Sequence, residues 1–286
     1  MKGYTQADLE KYRAKTFRLL PILRLLFERD AIRFVNERGF IFFWPVKNVL
    51  LPSLWGAVAG DRPVPKDHDD AAHITWNWKD HLLGKKKWYY ARVLKKRNTI
   101  ISLKSLPYFY ALSPNFGDPE NDYFIQYEQG LLPIEAKSVY EALLHEGPLN
   151  TLALKRMANL SSPSNASRFD RALGILQKDF RILPVGIAEA GTWDYAFIYD
   201  VVPRHFSDLI ELSRKISRSS AREYLLKTYL MTIGACPLED SIRLFNWNEN
   251  DISSTIKILL NKNEIVQARL FDGDDREWLA IQEFSS

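Results

Sequence analysis

Ser138-Val-Tyr-Glu-Ala-Leu-Leu-His-Glu146, stopped by Gly147-Pro148, runs on through Thr151-Leu-Ala-Leu-Lys-Arg-Met-Ala158 and Ser161-Ser-Pro-Ser-Asn165 into Arg168-Phe-Asp-Arg-Ala-Leu-Gly-Ile-Leu-Gln-Lys178. The spacing predicts three helices in succession. Phe169, Leu173 and Leu176 recur at i, i+4 and i+7, the period of one apolar helix face. Pro163 suits a first helical turn, and the Ser and Asn residues around it suit caps. Two β-type runs follow, 182–188 and 193–199, around Glu189-Ala-Gly-Thr192, which reads as a hairpin.

The same order returns further along. Residues 221–233 read as a helix ending at Gly234, and residues 237–245 as a short helix opened by Pro237. Asn248-Glu-Asn-Asp251 caps a third helix over 252–260, and runs at 264–271 and 277–281 flank the turn Asp272-Gly-Asp-Asp275. Helix, helix, helix, hairpin is a helix-turn-helix with a β-wing, and finding it twice marks an internal repeat. The expected fold is therefore α+β, mainly helical, built of tandem winged-helix units. Three units are expected, over 1–130, 131–203 and 204–286.

The N-terminal unit is the most divergent copy. Helices are expected over 16–35, ending near Gly39, over 46–58, and over 76–94 with an interruption at Gly84; runs at 99–103 and 108–112, bent at Pro107, suggest a wing. Residues 60–71 and 113–122 are polar, Pro- and Gly-rich loops.

At 286 residues, 46% hydrophobic and 13% aromatic, the chain has ample apolar surface for several small cores. The lone Cys236 excludes a disulfide framework and a thiolate zinc site, in keeping with a reducing compartment. The opening residues carry no apolar leader and no run is long enough to span a bilayer, so a cytoplasmic protein with no membrane partner is expected.

The net charge of +4 says little by itself, but its distribution says more. Between residues 79 and 104 stand nine cations (Lys79, Lys85, Lys86, Lys87, Arg92, Lys95, Lys96, Arg97 and Lys104) against the single acid Asp80. Such density on what reads as a helix offers phosphate contacts and salt-sensitive binding to duplex DNA; a solvated basic face backed by core aromatics has the same pattern. In the second unit the third helix is the one a helix-turn-helix lays in the major groove, and Asn165, Ser167, Arg168 and Arg171 are its exposed polar positions. An ordinary polar helix face reads identically. The equivalent start in the third unit, Asn248–Asp251, is acidic and unsuited to DNA, so that unit is expected to be structural or a protein contact, and a winged-helix scaffold that binds protein is the remaining alternative.

Asp67-His-Asp-Asp-Ala-Ala-His73 gathers metal-competent side chains at no recognised ligand spacing, so a solvated loop capping the next helix is the expectation, with neither metal nor cofactor. It runs into Trp76 and Trp78, beside Asp70, His73 and Asp80. Aromatic rings with nearby carboxylates are what a pocket for a flipped-out, damaged base requires, although core packing uses tryptophan in the same way.

This layout resembles the AlkZ/YcaQ-type DNA glycosylases, a bacterial family that releases alkylated and crosslinked bases. The resemblance rests on Phe34-Val-Asn-Glu-Arg-Gly-Phe-Ile-Phe-Phe-Trp-Pro-Val46, Tyr140-Glu-Ala-Leu-Leu-His-Glu-Gly-Pro-Leu-Asn-Thr151 and residues 225–234. It implies duplex DNA, undamaged or damaged, as the partner. The family carries a Gln-apolar-Gln or Gln-apolar-Asp triplet after a helix-ending Gly, and the matching position after Gly39 reads Phe42-Phe43-Trp44. Either the acid has moved, to Asp69, Asp70 or Asp80, or this relative binds DNA without that chemistry. Gln126-Tyr-Glu-Gln129 looks like the triplet but lies in the wrong part of the chain.

Overall fold

Three sheets of the same construction organise the chain. The computed structural model describes residues 2–65, 69–115, 117–191, 194–270 and 274–282. A short strand β1 (Lys2–Tyr4) and helix α1 (Gln6–Thr16) lead in. The first set follows: α2 (Glu28–Arg38), β2 (Phe40–Phe42), α3 (Leu54–Ala59), α4 (Ile74–Leu82), β3 (Tyr89–Arg92) and β4 (Asn98–Ile101). Helices α5 (Leu106–Ala111) and α6 (Asp122–Glu128) connect it to the second set: α7 (Ile134–Glu146), β5 (Leu149–Asn150), α8 (Thr151–Met157), α9 (Ala166–Lys178), β6 (Ile182–Ala188) and β7 (Ala196–Val201). After α10 (Val202–His205) and α11 (Leu209–Arg214) comes the third: α12 (Arg218–Ile233), β8 (Ala235–Pro237), α13 (Leu238–Phe245), α14 (Glu249–Asn261), β9 (Ile265–Leu270) and β10 (Asp274–Ile281).

Each set is thus helix, strand, helix, helix, strand, strand, and each sheet has its last strand in the centre. β4 pairs with β2 and β3, β7 with β5 and β6, β10 with β8 and β9, all antiparallel. The third sheet gains β1, parallel to β9 with Lys2 opposite Ala268. Helix α1 packs on α12 beside it, where Arg13 donates to the carbonyls of Ile233 and Ala235 at 3.1 and 2.7 Å. The N-terminal residues therefore complete the third set, far along the sequence.

The helices begin and stop for local reasons. Asn150 Oδ1 accepts from the N–H groups of Leu152 and Ala153 at 3.1 and 2.9 Å, and Asn248 Oδ1 from that of Asp251 at 2.8 Å, satisfying donors that a first turn leaves open. Gly39, Gly147 and Gly234 all follow helix ends with positive φ. At Gly39 a side chain would also meet Thr228 and Ser105, the first atoms at 2.6 and 2.9 Å, so the glycine admits α12 against the start of β2.

Two faces of the first sheet are buried. Phe40, Phe42, Tyr89, Ala91 and Ile101 point into a core shared with the third set and with Phe180 and Val202; Ile41, Tyr90 and Ile100 point the opposite way, into a core closed by Phe34, Trp78 and Trp88. Side chains alternate along a strand, so a strand covered on both sides is apolar throughout. The second set has its own core around Tyr140, Leu143, Phe169 and Leu176.

In the second and third sets the expected elements are found within a few residues; Trp193, Asp272 and Gly273 lie outside the described residues. The first set differs. The expected helix over 16–35 is broken by a turn at Pro21–Leu23, where proline cannot donate to a preceding turn. The helix expected over 46–58 shrinks to α3, which starts after Pro52 with Ser53 Oγ accepting from Gly56 N–H at 3.0 Å. Residues 76–94 do not form one basic helix: α4 ends at Leu82, and Tyr89 onward, rich in β-forming aromatics, becomes β3. β4 answers β3, whereas residues 108–112 fall largely in α5, opened by Pro107 in its first turn.

Candidate nucleic-acid interface

Redrawing residues 76–94 moves the basic run off a helix and onto a hairpin. Lys85, Lys86 and Lys87 occupy the loop before β3 and are exposed; Lys95, Lys96 and Arg97 form the exposed tip between β3 and β4. Lys95 and Lys96 both have positive φ, 53 and 56°, and their two side chains leave the tip into solvent. The two groups of cations stand at opposite ends of β3. Lys85 contacts the His81 ring, which in turn meets Glu28 at 2.6 Å. Gly84, at φ 73°, passes so close to β6 that an added Cβ would lie 2.5 Å from the Val185 carbonyl oxygen.

Two of the nine cations are held in ion pairs among the described residues. Arg92 pairs with Asp170 of α9 at 2.8 Å, and its backbone N–H donates to Gln177 Oε1 at 3.1 Å. Lys79 is 5% exposed and caged by rings: its Nζ lies 4.8 Å from the Phe197 ring centre, 5.4 Å from Tyr195 and 5.8 Å from both Phe43 and Tyr90. It donates to Tyr195 Oη at 2.7 Å and pairs with Asp80 at 2.6 Å, while the Tyr195 hydroxyl donates to Asp80 at 2.9 Å. Burial lowers the Lys79 pKa, and Asp80 opposes that shift. Asp80 thereby fastens α4 to the hairpin of the second set.

The other acids are placed differently. Asp69 is exposed in the loop before the turn at Ala71–His73. Asp70 caps that turn, accepting from Ala72 N–H at 2.8 Å, and receives both Arg62 nitrogens at 2.7 and 2.8 Å. The Arg62 fork, helped by the cap, brings its carboxyl down to about 2. A carboxylate so stabilised is a weak base. Asp67 and His68 lie outside the described residues.

The tryptophans part company. Trp78 is buried in the first set's core, away from solvent. Trp76 is 38% exposed and stacks on His73 at 5.5 Å. His73 in turn meets Trp55 at 5.3 Å, and Trp44 touches all three, with centres 5.1 to 6.1 Å away.

On the second set, Ser167, Arg168 and Arg171 are exposed along α9, and Asn165 is half-buried just before its first residue. Arg168 lies 3.6 Å from Glu135. The Asp170–Leu173–Gln177 face of α9 looks toward β3 across a cleft of about 580 Å³, with Tyr90, Tyr199 and Lys155 on its walls. The hairpin tip packs against α9 and α13. Lys95, Lys96, Arg97, Arg171 and Lys178 therefore sit on neighbouring elements. At Arg92 and Asn98 this cleft adjoins a second one of about 440 Å³, lined by Trp44, Lys47, Lys96 and Arg97. Nothing in the local sequence signals that Trp44 and Lys47 share a cleft with residues fifty positions on; only the pairing of β2 with β4 brings them together.

Among the described residues no helix is long and apolar enough to cross a membrane, and no three His, Cys, Asp or Glu side chains gather as metal ligands would. No curated protein matches the sequence. In fold the chain is similar to Streptomyces sahachiroi DNA glycosylase AlkZ, with a TM-score of 0.58 over 99% of this chain and 71% of that one, at 12% identity. A family model described as AlkZ related matches residues 28–243, from α2 of the first set to α13 of the third; the chain belongs to the AlkZ-related family.

Proposed function

We propose that the three sets are winged-helix units, divided over 1–130, 131–203 and 204–286, and that the chain is a cytoplasmic DNA-repair protein that holds duplex DNA. The observation that carries the reading is the packing of the hairpin tip, with Lys95, Lys96 and Arg97 exposed, against α9. A wing tip beside a third helix presents cations and hydrogen-bonding side chains together: the tip, and Lys86 and Lys87 at the other end of β3, meet phosphates, while Asn165, Ser167, Arg168 and Arg171 meet phosphates or base edges. The similarity to a DNA glycosylase supports DNA as the partner. Helix α14 opens with Glu249 and Asp251, the latter paired with Arg222 at 2.6 Å, so the third unit serves as scaffold for the other two.

Base excision is the second reading, and one observation favours it: Asp80 stands against Tyr195 at the edge of the larger cleft. Its engagement with Lys79 and Tyr195, like that of Asp70 with Arg62, leaves each carboxylate occupied. Binding without excision is therefore preferred. Retention of an undamaged and an alkylated duplex by the full chain, followed by assay for abasic sites, tests both readings. Binding of duplex without abasic sites is expected. Abasic sites lost on Asp80→Asn would establish the second reading, and failure to retain either duplex at low salt would overturn both.

A further inference from the structure

The smaller cleft has a chemistry distinct from that of a surface for paired DNA. Trp44 lines one side; Lys47, Lys96 and Arg97 stand around it, all three exposed and none in an ion pair among the described residues. Arg92 and Asn98 close the end toward α9, and among the described residues no carboxylate lines it. A volume of about 440 Å³ accommodates a nucleotide with room for water, and is at the small end of ordinary ligand sites.

Trp44 is held in place for this. Phe43, His73 and Trp76 meet it edge-on, at 81, 85 and 78° between planes, and Trp55 leans on it at 5.1 Å. A ring fixed by its neighbours loses little freedom when a ligand stacks on it. Lys47 follows three residues after Trp44, and Lys96 and Arg97 come from the hairpin tip, so an aromatic surface and three unpaired cations converge from two segments. An indole with phosphate-binding cations around it suits a base and its own phosphates together; a paired base, stacked on both faces, cannot use the indole.

We propose that this cleft is a subsite for a single unpaired nucleotide of a bound duplex, its base stacked on Trp44 and its flanking phosphates on Lys47, Lys96 and Arg97. The proposal rests on duplex binding as read above and adds what is recognised within the duplex. The test uses fluorescence anisotropy of the full chain with three probes of one sequence: a paired duplex, the same duplex with one unpaired nucleotide, and the single strand. The bulged duplex is expected to bind about tenfold more tightly than the paired one, in the range that one stacked base contributes. Trp44→Ala should erase that preference and leave paired-duplex binding unchanged, and Trp44→Tyr should retain most of it. Equal binding of bulged and paired duplex by the unaltered protein, a comparison that needs no variant, would overturn the proposal while leaving duplex binding intact. A preference that survives Trp44→Ala would also overturn it, and tighter binding of the single strand than of the bulged duplex would assign the cleft to single strands instead.

Discussion

Arg92 Nη1 lies 2.8 Å from Asp170 Oδ1, joining the hairpin of the first set to α9 of the second. Asp170 is largely exposed, so water screens the pair and its contribution to stability is small, about 0–1 kcal/mol. Its effect on charge is larger in consequence. Asp170 is the acid that lines the larger cleft, and it neutralises a cation that lines both clefts. Asp170→Asn should therefore leave the melting temperature nearly unchanged and tighten duplex binding severalfold at low salt. A drop in affinity would mean that the pair holds α9 in place for DNA.

Deep in the second set the balance reverses. Arg181 and Asp122 are 2% and 1% exposed and meet at 2.6 Å, with the guanidinium 5.6 Å from the Tyr140 ring. Removing one partner strands the other charge in an apolar core. Asp122→Ala should cost about 3–5 kcal/mol of folding free energy, the usual consequence of breaking a buried pair. Denaturant unfolding measures it, and a loss under about 1 kcal/mol would show that water reaches the pair.

Asp70 gives the acid limb of stability a specific origin. Its folded pKa, about 2, is depressed below the ordinary carboxylate value by Arg62 and the Ala72 N–H. A carboxylate depressed on folding stabilises the protein above its unfolded pKa, and the contribution fades as pH falls through the folded value. The loss belongs between about pH 4 and pH 2. Asp70→Asn keeps an oxygen for the cap but has no proton to bind, so its stability should decline less steeply across that window. Parallel curves for the two proteins would mean that the fork with Arg62 does not form in solution.

How far the sequence could be read depends on the residues concerned. Gly147-Pro148, Pro163 and Gly234 punctuate the second and third sets, and one-sided apolar spacing along α9 marks its buried face, so those elements are legible. The first sheet is covered on both faces. Phe40 to Phe43 and Trp88 to Ala91 consequently lack the alternation that marks a strand, and the cations from Lys85 to Arg92 give the run the look of a helix face. Cations on a hairpin tip and on a helix have the same composition. The partners that fix the site are more distant still: Arg92 and Asp170 are 78 residues apart, and Lys79 and Tyr195 are 116 apart, separations at which no local pattern speaks.

The central claim is that Lys95, Lys96 and Arg97 meet DNA phosphates. Each phosphate neutralised on a duplex adds about 0.9 to the slope of log affinity against log salt. The most direct measurement is that slope for the unaltered chain and for the triple variant Lys95→Glu, Lys96→Glu, Arg97→Glu, on one paired duplex, with circular dichroism confirming that both are folded. The account predicts weaker binding by the variant and a slope shallower by about 2 to 3. Equal affinity and equal slope for the two proteins would contradict it.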